Sequence, residues 1–424
     1  MKRIKMAVVG YGNRGQIYAE YALLEPKELE VVAVIDPNPF KREEAKKKHG
    51  LSGGQVFESY ADFLSSGIEA DIVANATMDQ YHYQTAIEIL NSKHDMLMEK
   101  PIVAKKEELT EIYELAEKKG CKVFVCHVLR YSPFYKTIKE MIDGGKIGKI
   151  ISIEMNEHVW VPHFLTSYCR GKWRSEEECG SPILLAKCCH DMDLLCWLNR
   201  SRATYLSSFA HRSCFTPENK PAGATEYCYN CPHSGDCKYS ALKLYYDHDV
   251  MPFLVLDSLN KPYDEVTKEE KMELLKSGDF GKCAFTMSGD VVDRQNVIVD
   301  FADGSVGTFT LSCGASRPDR YIHVVGTLGE IEGKVEENKF VYRTYDAENV
   351  GFTETVIDVG EKIVKKGSCG HNGGDYGIMY DIVRYLNGDA ASSSITFLED
   401  SVNSHLLVYG AEESRKTYKT VKLV

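Results

Sequence analysis

Two segments of the chain carry ionisable side chains that could move a proton. Lys100 follows an apolar run in the segment 99–101 and could offer a positive charge or, with a pKa lowered by burial, accept a proton. His190 and Asp193 are three residues apart in an apolar segment, so a helix would place them on one face, where the carboxylate could orient the ring. Each segment alone also has an ordinary interpretation, Lys100 as a surface lysine and His190 as a core histidine paired for structure.

A glycine-rich turn near the start of the chain predicts where a cofactor would bind. An apolar run ends in a Gly-x-Gly-x-x-Gly turn over residues 10–15, and helix-forming residues follow. Such glycines allow a tight turn and the close approach of a pyrophosphate, which the free N–H groups of the helix would bind. The next apolar run ends in Asp36, where an acid can bind the adenosine ribose and repel a 2′-phosphate. The pattern favours NAD over NADP, although Lys41 and Arg42 lie near enough to keep NADP open.

The first part of the chain alternates strand and helix patterns. Apolar runs of strand length recur between helical patterns over residues 1–125, which predicts a parallel sheet with helices on both faces. Ligands of such sheets bind beyond the carboxyl ends of the strands. Those ends carry Gly10, Asp36, Ala76 and the segment 99–101.

The pattern changes from about residue 126. A helix is predicted over 133–143, and strands are then predicted at 150–155, 296–301, 306–311, 321–325 and 340–345. Asp303-Gly304 joins two of these strands as a hairpin, which indicates a mostly antiparallel second sheet. We therefore expect an α/β protein with a nucleotide-binding domain over 1–126 and a second α/β domain over 127–424. The second face of the antiparallel sheet would have to be shielded from water, and self-association is one way to bury it.

Composition excludes several classes of protein. The 424 residues are 43% hydrophobic and 27% charged, with interleaved signs and a net charge of -11, which argues against a nucleic-acid partner. No apolar run is long enough to cross a membrane. The first strand begins almost at the N-terminus, so we expect no export signal, a cytoplasmic location and mostly reduced thiols among the 14 cysteines.

These motifs together resemble the Gfo/Idh/MocA oxidoreductases, the family of glucose–fructose oxidoreductase and inositol dehydrogenase. The resemblance rests on the glycine turn, Asp36, the segment 92–101 and the Cys-His-x-x-Asp motif at 189–193, in the same order along nearly the whole chain. It implies a Rossmann domain, then an α/β domain whose large open sheet is often buried between subunits. A homodimer or homotetramer formed through that sheet is therefore expected.

The resemblance also implies an activity, hydride transfer between NAD and a hydroxyl-bearing carbon of a sugar or cyclitol. Lys100 would hold and polarise the reacting hydroxyl, His190 would take its proton, and Asp193 would assist. By the same resemblance the cofactor would contact Gly10, Gly12, Asn13, Arg14, Gly15, Asp36, Ala76, Thr77, His82, Glu99 and Lys100.

One departure from the family keeps two further functions open. Many relatives carry an acidic residue four positions before the histidine, where this chain has Ala186. An NAD-dependent glycosidase, which oxidises a sugar, eliminates the aglycone, adds water and returns the hydride, would need the same cofactor and lysine but other acid–base groups. A non-catalytic nucleotide-binding regulator is the second alternative, and the intact Lys100 and His190 argue against it.

Two polar segments are candidates for binding a sugar or glycoside. Histidines, aromatic residues and arginines are dense over 157–174, where aromatic faces could pack on sugar C–H groups and arginine could bind a carboxylate. The same segment could instead be an interdomain loop or a subunit contact. With His371 from the polar turn at 371–376, the candidate substrate residues are His158, His163, Tyr168, Arg170, Trp173 and His371.

An insertion around residues 211–280 contains a possible structural metal site. Cys228, Cys231 and Cys237 have a spacing that suits zinc, and Cys214, His211 or His233 could supply a fourth ligand. Three cysteines are an incomplete zinc motif, so free thiols or an iron–sulfur site are alternatives.

Overall fold

A computed structural model describes residues 1–364, 366–367 and 370–423 of the chain. Its first sheet has six parallel strands in the order β3-β2-β1-β4-β5-β6, so the predicted parallel sheet is confirmed. The strands are β1 Ile4–Val9, β2 Leu29–Ile35, β3 Val56–Phe57, β4 Ile72–Asn75, β5 Asp95–Met98 and β6 Val123–Val125.

Helices cover both faces of this sheet, because its strands are apolar on both sides. They are α1 Asn13–Leu24, α2 Pro39–His49, α3 Tyr60–Ser65, α4 His82–Asn91 and α5 Lys106–Lys119. Local sequence sets their ends: the Asn38 side chain accepts from the Phe40 N–H at the start of α2, and Gly50 ends that helix in the left-handed conformation. The loop after β2 is therefore short, and α2 begins at a fixed point beyond the carboxyl end of that strand.

The second sheet has nine strands in the order β14-β13-β12-β11-β7-β10-β9-β8-β15. Among the strands of the described residues in this sheet, only β7 and β10 pair in parallel, so the expectation of a large, mostly antiparallel sheet is confirmed. Its strands are β7 Ile150–Trp160, β8 Ala203–His211, β9 Arg294–Phe301, β10 Val306–Ala315, β11 Asp319–Gly326, β12 Glu330–Lys334, β13 Lys339–Asp346, β14 Gly351–Asp358 and β15 Val421–Lys422. The sequence patterns had not indicated β8, β12, β14 or β15.

One face of the second sheet packs against helices and the other is open. In β9, Gln295, Val297, Val299 and Phe301 are buried, whereas the residues between them are exposed. The helices of this part are α6 Pro133–Asp143, α7 Val161–Phe164, α8 Glu176–Cys179, α9 Ile183–Ala186, α10 Cys189–Asn199, α11 Pro252–Val255, α12 Lys268–Ser277, α13 Gly374–Leu386 and α14 Leu398–Thr417. Within the described residues, no helix is both long and apolar enough to cross a membrane.

Two features depart from the predicted arrangement. The apolar segment that carries His190 and Asp193 is not one continuous helix: Pro182 is the N-cap of α9, and the chain leaves the helical path at Lys187 and Cys188 before α10 begins. The chain also returns to its first part, because Ile378 and Ile382 of α13 belong to the core beneath the parallel sheet.

Candidate functional site

A cleft of about 550 Å³ opens at the carboxyl ends of the parallel strands and is closed on its far side by the second part of the chain. It brings together most of the residues that the sequence singled out. They are Gly10, Gly12, Asn13, Arg14, Asp36, Ala76, Thr77, His82, Glu99, Lys100, His163, Tyr168, Trp173, His190 and His371.

The glycine turn has the geometry that a dinucleotide needs. Gly10 has a φ of +85°, which a residue with a side chain rarely adopts. Gly12 precedes α1, and no described atom lies within 4 Å of the position that a Cβ on it would take. Gly15 does not line the cleft; a Cβ there would lie 2.0 Å from the Gly10 carbonyl oxygen, so its part is to let α1 pack against β1.

Asp36 stands at the end of β2, beside the glycine turn. Its two carboxylate oxygens accept from the backbone N–H groups of Tyr11, at 2.7 Å, and Asn38, at 2.8 Å. Lys41 and Arg42, the two cations that could have bound the 2′-phosphate of NADP, already have partners in the protein. Lys41 pairs with Asp257 at 3.2 Å, and Arg42 donates to the carbonyl oxygen of Asp36 at 2.7 Å.

The insertion contributes to this end of the cleft, which sequence patterns did not indicate. Met251, Phe253, Leu254 and Asp257 line it. Asn260 accepts from the Asn38 side chain at 2.7 Å. The insertion therefore packs against the nucleotide-binding turn rather than standing apart from it.

A buried carboxylate fixes the start of the lysine segment. Glu99 accepts from Arg14 Nε at 2.6 Å, from the Tyr18 hydroxyl and from the backbone N–H of Lys100 at 2.8 Å. Despite the cost of burial, the charge of Arg14 lowers the pKa of Glu99, so the ion pair is maintained at neutral pH.

Arg14 connects this carboxylate to the far side of the cleft. Its NH1 group donates to Asp375 at 2.8 Å, and Asp375 also accepts from Nδ1 of His371, at 3.1 Å. Sequence analysis missed Asp375, although its place four residues after His371 is a detectable signal.

Lys100 reaches across the cleft to the second part of the chain. Its Nζ donates to the carbonyl oxygen of Ala186 at 3.0 Å. That carbonyl is free to accept because α9 ends at Ala186. The position where relatives have an acid thus contributes a backbone oxygen to the lysine.

His190 lies in the first turn of α10 and lines the same cleft. Its Nδ1 is buried without a hydrogen-bond partner among the described residues, which leaves Nε2 as the ring atom accessible from the cleft. Burial, and then the positive charge of Lys100, hold the pKa of His190 well below its ordinary value. The ring is therefore neutral, and able to accept a proton, through neutral pH.

The expected pairing of Asp193 with His190 is wrong. Both oxygens of the Asp193 carboxylate accept from Arg130, at 2.7 Å from Nε and 2.6 Å from NH2. Asp193 and Arg130 are both buried, and the side chain does not line the cleft. The two-point ion pair with Arg130 is a stronger interaction for the Asp193 carboxylate than a hydrogen bond to His190, one helical turn away.

Two of the expected substrate residues also lie elsewhere. His158 alternates along β7 with the buried Glu157 and so points to the opposite face of the sheet from the cleft. Arg170 is buried and donates to the carbonyl oxygens of Lys282 and Tyr239, both at 2.8 Å. Neither side chain lines the cleft.

A charged cluster behind the cleft was missed by sequence analysis. Glu157 on β7 and Arg320 on β11 are cross-strand partners, 2.5 Å apart between carboxylate and Nε. Lys187, from the break between α9 and α10, lies 3.2 Å from Glu157, and Asp191 accepts from Arg320 Nε at 3.0 Å. Lys187 and Arg320 line the cleft.

The proposed zinc site is not supported. Cys228, Cys231 and Cys237 border one small cavity in the insertion, together with Cys283. In the part of the chain that the structure describes, no group of three or more His, Cys, Asp or Glu side chains is arranged to hold a metal ion, and the four cysteines are free thiols. Cys214, one expected fourth ligand, is exposed and its N–H donates to Asp293.

Comparison with known proteins identifies the family. Residues 4–127 match the model of the oxidoreductase family with an NAD-binding Rossmann fold, and residues 135–332 match the GFO/IDH/MocA C-terminal domain. The chain therefore belongs to the Gfo/Idh/MocA oxidoreductase family and has its NAD-binding fold.

The individual relatives are distant. The putative oxidoreductase YteT of Bacillus subtilis is 23% identical over 360 residues, 83% of this chain and 82% of its own. An inositol 2-dehydrogenase/D-chiro-inositol 3-dehydrogenase of Lactiplantibacillus plantarum is 24% identical over 46% of this chain, and only 51% of its own length is covered. The structure of a levoglucosan dehydrogenase with NADH and levoglucosan has a TM-score of 0.70 at 16% identity, covering 99% of both chains.

Substituting two of the three glycines of the turn, one at a time, should separate packing from cofactor binding. Gly15→Ala should lower the free energy of unfolding by about 3 kcal/mol, because its Cβ would meet a backbone oxygen. Gly12→Ala should change it by less than about 1 kcal/mol, yet weaken NAD binding about tenfold or more by filling the space for the pyrophosphate. Urea unfolding and NADH fluorescence titration measure the two effects. Equal losses of stability would contradict this assignment.

Stability should fall in mild acid because histidines are buried neutral. The Nε2 of His405 accepts from the Ile102 N–H at 3.1 Å, Nδ1 donates to Ser401, and burial lowers its pKa to about 3. The unfolded chain then binds more protons below pH 6.5, so stability rises with pH, and this one group removes about 2 kcal/mol between pH 7 and pH 5.

The measurement is the midpoint of urea unfolding at pH 7, 6 and 5. His405→Gln should flatten the pH dependence even though it lowers the midpoint at pH 7. The exposed His248→Gln is the matched control and should leave the pH dependence unchanged. A wild-type midpoint that does not fall toward pH 5 would contradict the prediction.

Proposed function

We propose that this member of the Gfo/Idh/MocA family oxidises a secondary alcohol of a sugar or cyclitol, transferring a hydride to NAD. The observation that carries the proposal is the meeting of Lys100 and His190 in one cleft with the glycine turn. The two residues come from different parts of the chain, and the hydrogen bond from Lys100 to Ala186 holds them together.

The chemistry requires a proton acceptor at the hydroxyl that is oxidised. When bound, the nicotinamide ring supplies the acceptor for the hydride at its C4. Lys100 can donate a hydrogen bond to the substrate oxygen, where its charge stabilises the developing alkoxide. Nε2 of His190 can accept the hydroxyl proton, provided that the ring carries its hydrogen on Nδ1. The low pKa of His190 keeps it unprotonated for this step at neutral pH.

Other side chains that line the cleft are suited to binding a polar, ring-shaped substrate. Trp173 Nε1 donates to both carboxylate oxygens of Asp79 at 3.3 Å, which fixes the indole at the cleft wall. Tyr168 lies against it, with ring centroids 6.3 Å apart. These aromatic faces and the neutral His163 offer both C–H packing and hydrogen bonds.

The surroundings of Asp36 favour NAD over NADP. A 2′-phosphate would approach a carboxylate and would have to break the Lys41–Asp257 ion pair to gain a cation. Arg42 is held by backbone carbonyls at 2.7 and 3.0 Å. We therefore propose NAD as the working cofactor.

We also propose a homodimer or homotetramer that assembles through the open face of the second sheet. The outer positions of neighbouring strands there carry large apolar side chains among polar ones. Exposed examples are Tyr205, Phe209, Ile298, Val306, Tyr345, Phe352 and Val356. A second copy of the sheet would remove them from water.

The test of the activity is Lys100→Met on a panel of sugars, cyclitols and aryl glycosides with NAD and with NADP. The wild type should form NADH with at least one alcohol, and Lys100→Met should lower kcat/KM by about a hundredfold or more while NADH binding persists. Lys105→Met, at an exposed lysine, is the matched control and should behave as the wild type.

Two other outcomes would contradict the proposal. Release of an aryl group without net NADH would indicate the glycosidase reaction. Nucleotide binding without turnover of any member of the panel would indicate a regulator.

The test of the assembly is Ile298→Glu, which places a charge on the open face. Light scattering should show that this variant has a smaller mass than the wild type at the same concentration. Leu64→Glu, at an exposed leucine of α3, is the matched control. A wild-type monomer would overturn the proposed assembly.

A further inference from the structure

The guanidinium of Arg320 is held from one side only. Its Nε contacts the carboxylates of Glu157 and Asp191, at 2.5 and 3.0 Å. Its two terminal NH2 groups have no hydrogen-bond partner in residues 1–364, 366–367 and 370–423, and the side chain lines the cleft. The planar edge that binds carboxylates in a two-point arrangement is therefore turned toward the place where substrate would bind.

Lys187 extends this cationic surface. Among the described residues its one ion pair is with Glu157, at 3.2 Å, and its side chain also lines the cleft. An ammonium has three donors, so one contact leaves others for a ligand. Lys187, Arg320 and Lys100 are also the three cations whose charges, after burial, lower the pKa of His163 to about 3, which indicates that all of them lie near this ring.

The positive charge of Arg320 and Lys187 is not neutralised by carboxylates on the side where the substrate would lie. Glu157 and Asp191 are buried behind Arg320, and burial raises the pKa of Asp191 to about 6. Four carboxylates of the described residues line the cleft, and each has another partner. Glu99 is paired with Arg14, Asp36 binds backbone N–H groups, Asp79 accepts from Trp173 Nε1, and Asp257 is paired with Lys41. Position 186 is an alanine and adds no charge beside Lys100.

From this geometry we propose that the substrate carries a carboxylate, which Arg320 and Lys187 bind while its alcohol faces Lys100 and His190. The substrate class is thus a hydroxylated acid of the hexuronate or aldonate kind. This inference rests on the proposed function for the position of the reacting alcohol, but the recognition of the acid is a separate property of Arg320 and Lys187.

The experiment measures binding to the NAD-loaded full-length protein by calorimetry. The probes are D-glucuronate, D-galacturonate and D-gluconate, each paired with the neutral compound that has a CH2OH group in place of the carboxylate: D-glucose, D-galactose and D-glucitol. We expect at least one acid to bind about tenfold or more tightly than its neutral partner, and the difference to shrink as salt is added.

Two variants assign the effect to the named residues. Arg320→Lys keeps the charge but loses the planar edge, and should lower the preference for the acid about tenfold with little change for the neutral partner. Lys187→Met should also lower the preference for the acid. This variant provides the test if Arg320→Lys does not fold. Arg200→Lys, in a surface ion pair with Asp143, is the control and should keep the wild-type preference.

The outcomes separate this inference from the proposed function. If no acid binds more tightly than its neutral partner, or if both variants keep the wild-type preference, the carboxylate site is overturned even where neutral sugars are oxidised. If acids bind through Arg320 and Lys187 but no NADH forms, the carboxylate site stands and the proposed oxidation fails.

Discussion

The hydrogen bond between Lys100 and the Ala186 carbonyl joins the two halves of the cleft. This hydrogen bond can form because the helical path breaks at Lys187, three residues before His190. Among the described residues, the carbonyl of Ala186, the last residue of α9, therefore has no helical N–H to accept from. Lys187 stands in this interruption and lines the cleft. One local break in a helix thereby supplies an acceptor for Lys100, a cation in the cleft and the start of the helix that carries His190.

Burial and charge act together on the residues around that anchor. Glu99 keeps its charge in the protein interior because Arg14 and two further donors compensate for the lost water. His190 has no such compensation at Nδ1 and stands near the positive Lys100, so its neutral form is favoured. The cleft thus keeps a cationic lysine beside an unprotonated imidazole, which is the combination that withdrawal of a proton from an alcohol requires.

Sequence reasoning succeeded where the determinants are local and failed where they are distant. The glycine turn and Asp36 belong to one strand–helix–strand unit, so spacing alone placed them correctly. Helical spacing also put Asp193 near His190, but a buried arginine from a different segment, Arg130, captured its carboxylate. Arg320 lies 129 residues from Asp191 and meets Glu157 only through the register of two strands, which periodicity does not reveal.

Among the described residues, the insertion contacts the nucleotide-binding end of the cleft without a hydrogen bond or ion pair to the residues proposed to be catalytic. Its segment 251–260 reaches back over the parallel sheet, where Asp257 pairs with Lys41 and Asn260 bonds to Asn38. Both partners flank Asp36, so the insertion neutralises the cation that a 2′-phosphate would use and fixes the turn that holds the adenosine side of the cleft. On the proposed function, contacts with the insertion would set cofactor selection at one end of the cleft and Lys187 and Arg320 would set ligand selection at the other, so the two could change independently of Lys100 and His190.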